Sequence, residues 1–297
     1  MPMVSQRRRD VGKDTVFVIP VGPRCKTEFV ADTIESIRYF APLARIILVD
    51  DSKRGLGVQL SGRYQLTTLD AKAHGLFGSL YLGLSDGFRE ALAKPFRILV
   101  RLDSDALISG SDFEAKAIDC FNSDERLGSL GSFRIGYDCV GIRNRRWARR
   151  RILAYFAFQS WKSPRDASMI TTLLISARKN GYKLGDSIMG GAAVYRYEAV
   201  AALNEADLLG RVELTRIGLQ EDHIFGFCLL ATGFHLGEFG NKFDELPMGV
   251  DWKTLPASPK ELMELGKSII HSTKRFETMN EQEIRDQFRS ARTEVSD

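Results

Sequence analysis

Short apolar runs alternate with helix-periodic segments in the first third of the chain, and this alternation limits the fold more than any other feature. The runs 16–21, 45–49 and 97–102 are rich in β-branched and aliphatic residues, as strands buried on both faces are. Between them, apolar residues recur at helical spacing, with Pro42 ending one helix and a longer helix covering about 76–93. The pattern predicts an α/β fold with a mostly parallel sheet, right-handed crossovers and flanking helices.

Beyond about Gly110 the alternation of strands and helices becomes less regular, so the boundary between the two halves of the domain is less distinct. We predict a disordered basic leader (1–13), two halves of one domain (14–110 and 111–257) and a helical C-terminal tail (258–297). Further helices are predicted over 112–121, 148–159, 165–178, 220–230, 259–270 and 280–292. Further strands are predicted over 64–69, 127–133 and 192–195.

The composition is that of an ordinary water-exposed protein with a sizeable core. Hydrophobic residues make up 44% of the 297 residues and charged residues 27%. No apolar stretch reaches the roughly 20 residues that span a bilayer, and the basic amino terminus has no apolar region of a secretory signal. The four cysteines form no CxxC pair, which favours reduced thiols and no zinc site. These features predict a cytoplasmic protein.

Acidic residues follow two of the predicted strands directly. Asp50 and Asp51 end one run, and Asp103 and Asp105 end another. Parallel sheets bind ligands at the carboxyl ends of their strands, and neighbouring carboxylates repel each other unless a cation lies between them. Such oxygen ligands suit Mg²⁺ or Mn²⁺ shared with phosphate oxygens. The alternative is a pair of solvated turns, since Asp and Ser (including Ser52) are common turn residues.

Several short motifs occur in a fixed order along the chain. They are Pro20-Val21, Val49-Asp50-Asp51-Ser52, Leu102-Asp103-Ser104-Asp105, Gly190-Gly191 and Glu221-Asp222. This set resembles GT-A-fold glycosyltransferases of the inverting family 2 type, over about 16–236 with an extension to His271. The resemblance implies a GT-A-like fold and metal-dependent transfer of a sugar, with inversion, from a nucleotide-diphosphate sugar to an acceptor hydroxyl. It also implies a role in polysaccharide biosynthesis, with a glycan, lipid-linked or other hydroxyl acceptor.

The resemblance assigns the donor side to the first half of the chain, 14–110. Asp105 would be the direct ligand of Mn²⁺ or Mg²⁺ in this DXD motif, and Asp103 would contact the ribose or the metal site. Asp50 and Asp51 would bind base and ribose hydroxyls. The chain at Pro20-Val21 would line the base through its backbone.

The second half, 111–257, would bind the acceptor and supply the base. Gly190 and Gly191 have no side chain to keep backbone away from the donor sugar, although a plain strand entry explains them equally well. Glu221 and Asp222 open a helix, where the dipole favours ionised carboxylates. The resemblance makes Asp222 the catalytic base; the alternative is the ordinary preference for acids at a helix start.

His271 follows an apolar pair near the C-terminus. Several GT-A enzymes use a C-terminal His as a further metal ligand, and an imidazole suits Mn²⁺ better than Mg²⁺. The alternative is a packed or hydrogen-bonded His without a metal.

An arginine-rich segment, 143–161, interleaves basic and aromatic residues. Three interpretations are open: a solvated helix face, a surface for anionic lipid headgroups anchored by Trp147, Phe158 and Trp161, or a site for an acidic acceptor. Lipid contact would place the protein peripherally at the inner face of a membrane. No nucleic-acid partner is predicted, because no binding module surrounds the segment.

Two other functions are compatible with such a sheet. A sugar nucleotidyltransferase also uses acidic metal ligands, but its Gly-rich loop after strand one is poorly matched by 21–26, which holds one Gly and a Pro. A non-catalytic nucleotide-sugar-binding module is the other alternative. The intact acidic motifs argue against it.

Overall fold

Strands and helices alternate through most of the computed structural model, which describes residues 11–71, 78–134, 137, 144–240, 242 and 245–294. The strands are β1 (Thr15–Val21), β2 (Arg45–Asp50), β3 (Thr67–Asp70), β4 (Ile98–Leu102), β5 (Leu107–Ile108), β6 (Leu127–Gly131), β7 (Ala192–Arg196), β8 (His235–Glu238), β9 (Met248–Val250), β10 (Ile269–His271), β11 (Arg275–Phe276) and β12 (Met279–Asn280). The helices are α1 (Thr27–Phe40), α2 (Leu56–Ser61), α3 (Ser79–Leu92), α4 (Phe113–Ser123), α5 (Asn144–Phe158), α6 (Pro164–Lys179), α7 (Tyr197–Glu205), α8 (Val212–Thr215), α9 (Glu221–Ala231), α10 (Pro259–Glu264) and α11 (Glu281–Glu294).

A seven-stranded sheet forms the centre of the molecule, in the order β3-β2-β1-β4-β7-β6-β8. The strands β3, β2, β1 and β4 are parallel, β7 is antiparallel to both of its neighbours, and β8 is parallel to β6. The predicted mostly parallel sheet with flanking helices and a C-terminal helix is therefore confirmed. No helix among the described residues is long and apolar enough to cross a membrane.

Apolar side chains cover both faces of this sheet, as the unbroken apolar runs predicted. Val16 and Val18 of β1 pack into a core shared with α3, α6 and α9, whereas Phe17, Ile19 and Val21 pack into a second core with α1 and α4. This alternation follows from the two-residue period of a strand. Helices on both faces leave the carboxyl ends of β1, β2 and β4 open at one edge.

The tail after residue 258 is only partly helical, so the helix predicted over 259–270 is wrong beyond Glu264. Gly266, at φ 65°, ends α10. The Gly266 amide donates to the Met263 carbonyl at 3.0 Å, and the Lys267 amide to the Leu262 carbonyl at 2.9 Å, as in a Schellman motif. The chain then forms β10, which pairs with β5 and β9 in a small second sheet. This pairing brings the C-terminal tail back to the open edge of the main sheet.

Candidate active site

The two acidic clusters lie at the same edge of the sheet. Strands β2 and β4 flank β1 and run parallel to it, so Asp51 and Asp105 follow strand ends that are two strand spacings, about 10 Å, apart. The structure thus places both predicted clusters where a parallel sheet binds its ligands.

Asp103, Asp105 and His271 form a group that could hold a metal ion, with one ligand atom from each lying within 4.8 Å of the others. His271 Nε2 is 3.4 Å from Asp105 Oδ2 and 3.9 Å from Asp103 Oδ2. Strand β10 sets this position, because its continuation is tied to the loop after β4 by the Thr273 amide, which donates to the Asp105 carbonyl at 2.9 Å.

The donor set itself fits Mn²⁺ or Mg²⁺. Two carboxylates and one imidazole supply hard oxygens and a borderline nitrogen, a combination that suits Mn²⁺ better than Mg²⁺. His271 is buried, and its Nδ1 has no hydrogen-bond partner among the described residues, so the ring is held by packing and by the contact of Nε2 with Asp105. Three convergent ligand atoms leave the remaining coordination positions for oxygens of a bound ligand.

Positive and polar groups surround Asp105. Its carboxylate accepts a hydrogen bond from Ser272 Oγ at 2.6 Å, and Lys274 Nζ lies 3.0 Å away. Burial raises the pKa of this carboxyl, but the His271 ring, Lys274 and Ser272 outweigh burial and hold the pKa well below its usual range. Asp105 is therefore an anion at any physiological pH, as a metal ligand has to be.

Gly191 packs against the face of the His271 ring. A Cβ at Gly191 would lie 2.3 Å from His271 Cε1 and Nδ1, and the backbone φ of 104° is one that other residues rarely adopt. The Gly191 carbonyl also accepts a hydrogen bond from the Asp103 amide at 2.8 Å. Gly191 of the predicted pair thus contacts two of the three candidate ligands, His271 and Asp103.

We expect Gly191→Ala to weaken Mn²⁺ binding by at least about tenfold, because the new methyl group must displace the His271 ring. Gly190→Ala is the matched control, since a Cβ there would come no closer than 3.5 Å, to Arg101. Calorimetric titration of MnCl₂ into each folded variant measures the effect. Equal affinities for the two variants would contradict the placement of His271.

Arg101 joins the acidic loop, defined as Asp103–Asp105 after β4, to the start of helix α9. It is buried in β4, with Nη2 donating a hydrogen bond to Glu221 Oε1 at 2.9 Å and forming an ion pair with Asp103 Oδ1 at 2.8 Å. Asp222 Oδ1 accepts the His223 amide at 2.7 Å. Of the two acids that open α9, Glu221 is thus paired with an arginine, whereas the hydrogen bonds that Asp222 accepts from the described residues come from backbone amides.

The environment at the start of α9 raises the pKa of both carboxyl groups. Burial raises the pKa of Glu221 in spite of Arg101, and the neighbouring Asp222 charge adds to the rise. Burial likewise raises the pKa of Asp222, to about 6, against the lowering effect of the His223 amide and Arg101. A carboxylate with a pKa brought near neutrality is suited to accept a proton.

Asp50 and Asp51 differ in what their side chains contact. Asp50 is buried, and its two carboxylate oxygens accept the Ser52 amide at 2.8 Å and the Gly57 amide at 2.7 Å. It therefore orders the turn into α2, as the turn interpretation expected. Asp51 is half-buried at the sheet edge, with its amide bonded to the Val21 carbonyl. Of the two, Asp51 is left for the predicted contact with a donor.

A cleft of about 700 Å³ opens beside the acidic loop. It is lined at one end by the chain after β1 and at the other by the loop after β4 and the C-terminal tail; the residues are Pro20, Gly22, Pro23, Arg24, Cys25, Lys26, Phe29, Val30, Leu80, Asp103, Ser104, Asp105, Lys274 and Glu281. Pro20 lies in this lining, and the Val21 side chain is buried in the core, so a contact of Val21 with a base would have to come from its backbone, as the prediction states. The lining holds three cationic side chains, Arg24, Lys26 and Lys274, and three carboxylates, Asp103, Asp105 and Glu281, so the basic groups after β1 and a cation held by the carboxylates would together suit an anion.

The residues of α1 and α11 that hold the acidic loop in place were not identified from the sequence. Asp32 of α1 is buried and faces three arginines of α11, with Arg285 Nη1 at 2.9 Å from Asp32 Oδ2 and Arg289 Nη2 at 3.3 Å from Oδ1. Arg292 completes this set with an ion pair to Oδ1. Arg285 also donates through Nη2 to the Ser104 carbonyl at 2.9 Å. The C-terminal helix therefore fixes the backbone between the two candidate ligand aspartates.

Solved structures similar to this chain include two glycosyltransferases. One, involved in glycosylating the major capsid of PBCV-1, is 10% identical over 93% of this chain and 98% of its own, with a TM-score of 0.47. The other is glucosyl-3-phosphoglycerate synthase from Mycobacterium tuberculosis in complex with Mn²⁺, UDP and glucosyl-3-phosphoglycerate; it is 13% identical over 77% of this chain and 71% of its own, with a TM-score of 0.39. Glycosyltransferases are thus among its structural neighbours.

A cytidylyltransferase from Leptospira borgpetersenii is also similar, 9% identical over 95% of both chains with a TM-score of 0.42. The chain spans 55% of the length of Staphylococcus aureus TarS 1–349, another similar structure. No family model and no curated protein matches the sequence. All these TM-scores lie below 0.5, so function has to be argued from the side chains of this chain.

Proposed function

We propose that the protein is a metal-dependent glycosyltransferase that transfers a sugar, with inversion, from a nucleotide-diphosphate sugar to an acceptor hydroxyl. The observation that carries the proposal is the joining of two sites by one buried arginine. Arg101 contacts Asp103 of the candidate metal group and Glu221 of the acidic pair, so a cation site and a proton-accepting site share one open sheet edge. Departure of a diphosphate and removal of a hydroxyl proton need these two sites side by side.

Asp103, Asp105 and His271 would hold Mn²⁺ or Mg²⁺. When bound, such an ion neutralises the diphosphate as it leaves and lowers the barrier to breaking the bond to the sugar. Lys274, whose ammonium group is largely exposed beside Asp105, adds a positive charge at the same place. The cleft after β1 would take the nucleoside, with Pro20 lining it and Asp51 at the neighbouring strand end.

Asp222 would accept the proton of the acceptor hydroxyl as its oxygen forms a bond to the anomeric carbon and the bond to the diphosphate breaks. Attack from the side opposite the diphosphate inverts the configuration. Arg101 holds Glu221, so Glu221 positions the start of α9 and Asp222 remains to act as the base. Gly190 lies beside Arg101 and Glu221 and would leave space for the sugar, whereas the space beside Gly191 is filled by the His271 ring.

The metal function is tested first by Asp105→Asn. We expect the variant to bind Mn²⁺ at least about tenfold more weakly, because it loses an anionic ligand, and to lose turnover with it. Asp86→Asn, on the exposed face of α3, is the control. MnCl₂ titration gives the affinity, and release of nucleoside diphosphate from a panel of nucleotide sugars gives the activity. Unchanged Mn²⁺ affinity in Asp105→Asn would contradict the assignment.

The same panel separates the alternatives. Release of nucleoside diphosphate that depends on an added acceptor indicates glycosyl transfer. Release of pyrophosphate from nucleoside triphosphate and a sugar phosphate would instead indicate a nucleotidyltransferase. Stabilisation of the fold by a nucleotide sugar without turnover would indicate a binding module, because a ligand of the native state raises Tm.

A further inference from the structure

A basic helical segment, defined here as residues 144–179, contains α5, a short 3₁₀ turn at Ser160–Lys162, and α6. It carries nine basic residues and a single acidic one, Asp166. Asp166 is occupied by an ion pair with Arg216, from outside the segment. The surplus of positive charge on this part of the surface is therefore not neutralised from within the segment.

The outer face of α5 is where much of this charge lies. Ala148, Ile152 and Tyr155 are buried against the core and mark the inner face of the helix. Arg146 and Arg150 lie on the opposite face at i and i+4, and both are exposed, as is Arg149. Within the described part of the chain, no acidic side chain pairs with these three arginines. Nothing in the catalytic proposal uses them.

Large apolar side chains are also exposed on the basic helical segment. Phe158 and Trp161 are 72% and 70% exposed where α5 passes into the turn before α6. Leu153 on α5 and Ile175 on α6 are also exposed. The segment thus exposes two aromatic rings at one turn and three arginines on α5, which gives it both an apolar and a cationic component.

We propose that the basic helical segment docks the protein onto a bilayer that carries anionic headgroups. Arginine guanidinium groups pair with lipid phosphates, and each basic residue near an anionic surface adds to the attraction. Phe158 and Trp161 insert at the boundary between headgroups and acyl chains, where amphipathic aromatic rings are favoured. Acidic proteins and nucleic acids match the charge, but a bilayer also offers a continuous apolar phase that can bury Phe158, Trp161 and Leu153 together.

The test is co-sedimentation of the full chain with vesicles of phosphatidylcholine alone and of phosphatidylcholine with 30% phosphatidylserine, a composition chosen as a roughly typical anionic surface. We expect binding only to the anionic vesicles, and release at about 0.5 M NaCl because salt screens the attraction. The charge reversal R146E/R149E/R150E should weaken binding by about 100-fold or more. The control K13E/K94E/K260E, which makes the same change of net charge at exposed positions elsewhere, should retain most of it.

The aromatic component gives a second, independent measurement. F158A/W161A keeps every charge, so weaker binding of this variant at equal ionic strength shows insertion rather than simple attraction. A blue shift of tryptophan emission on anionic vesicles that W161F removes shows the same. Equal vesicle binding of the charge-reversed protein and its control overturns the proposal. So does binding of phosphatidylserine vesicles that is unchanged in F158A/W161A, or capture of polyanions in preference to vesicles.

Discussion

Asp222→Asn should reduce turnover by about 10² to 10⁴ while leaving Mn²⁺ and donor binding unchanged. The amide has the shape of the carboxylate but cannot accept the proton of an acceptor hydroxyl, and a positioned base contributes about that factor. The variant keeps an oxygen that can accept the His223 amide, so the start of α9 is preserved. Turnover is measured as acceptor-dependent release of nucleoside diphosphate, and binding by titration with MnCl₂ and with the donor.

The pH dependence of turnover distinguishes a catalytic base from a residue with a purely structural role, because only the loss of the base would change it. Burial raises the pKa of Asp222 to about 6, and the base works only when it is ionised. The wild-type rate should therefore rise with pH through about 6 and level off above it, whereas the residual rate of Asp222→Asn should lack that rise.

Glu221→Gln is the matched variant. It removes the charge that Arg101 contacts, but leaves Asp222 in place, so we expect a smaller loss. A larger loss in Glu221→Gln than in Asp222→Asn would exchange the two roles.

Much of this site could be predicted from sequence because its parts lie at strand ends and helix starts. Apolar runs fix where parallel strands stop, and acids placed directly after them meet at one edge whatever the details of packing. Asp103 and Asp105 follow this rule. The role of Asp50 could not be chosen in this way, since a carboxylate that orders a turn and one that binds a ligand have the same neighbours in sequence.

Other features were missed although a signal was present. Gly266 is a residue type that commonly ends a helix. A helix that ends there leaves Ile269 and Ile270 free to form the strand that positions His271 at the site. Arg101 is a charge inside a buried apolar run, which by itself calls for an ionic partner. In both cases the local sequence contains the signal: Gly266 marks the end of a helix, and Arg101 requires a buried acidic partner.

The pairing of Asp32 with the arginines of α11 escaped prediction for a different reason. Asp32 and Arg285 are separated by 253 positions, and each lies on an amphipathic helix where a charge is expected to face solvent. Only the packing of α11 against α1 buries both. Pairing of this kind is a property of the tertiary fold, so no single-sequence pattern identifies it.

Because of this buried pairing, we expect Arg285→Met to lower the free energy of unfolding substantially. Arg285 is fully buried, with Asp32, Glu281 and the Ser104 carbonyl as partners. Removing one member of a buried ionic network leaves the others without compensation, at a cost of about 3–5 kcal/mol. Because Arg292 still faces Asp32, we expect a value near the lower end of that range. Urea unfolding at constant m gives the difference.

Arg289→Met is the control from the same helix. Arg289 faces the same carboxylate at 3.3 Å, but its side chain is 43% exposed, so its loss should cost less than about 1 kcal/mol. Arg285→Lys separates stability from function: the ammonium group can pair with Asp32, but lysine lacks the planar fork whose second arm reaches the Ser104 carbonyl. We therefore expect Arg285→Lys to recover much of the stability while Mn²⁺ affinity stays reduced, since the loop between Asp103 and Asp105 is no longer held from behind. Equal destabilisation by Arg285→Met and Arg289→Met, or full Mn²⁺ affinity in a folded Arg285→Lys, would show that the C-terminal helix only packs against the site and does not position it.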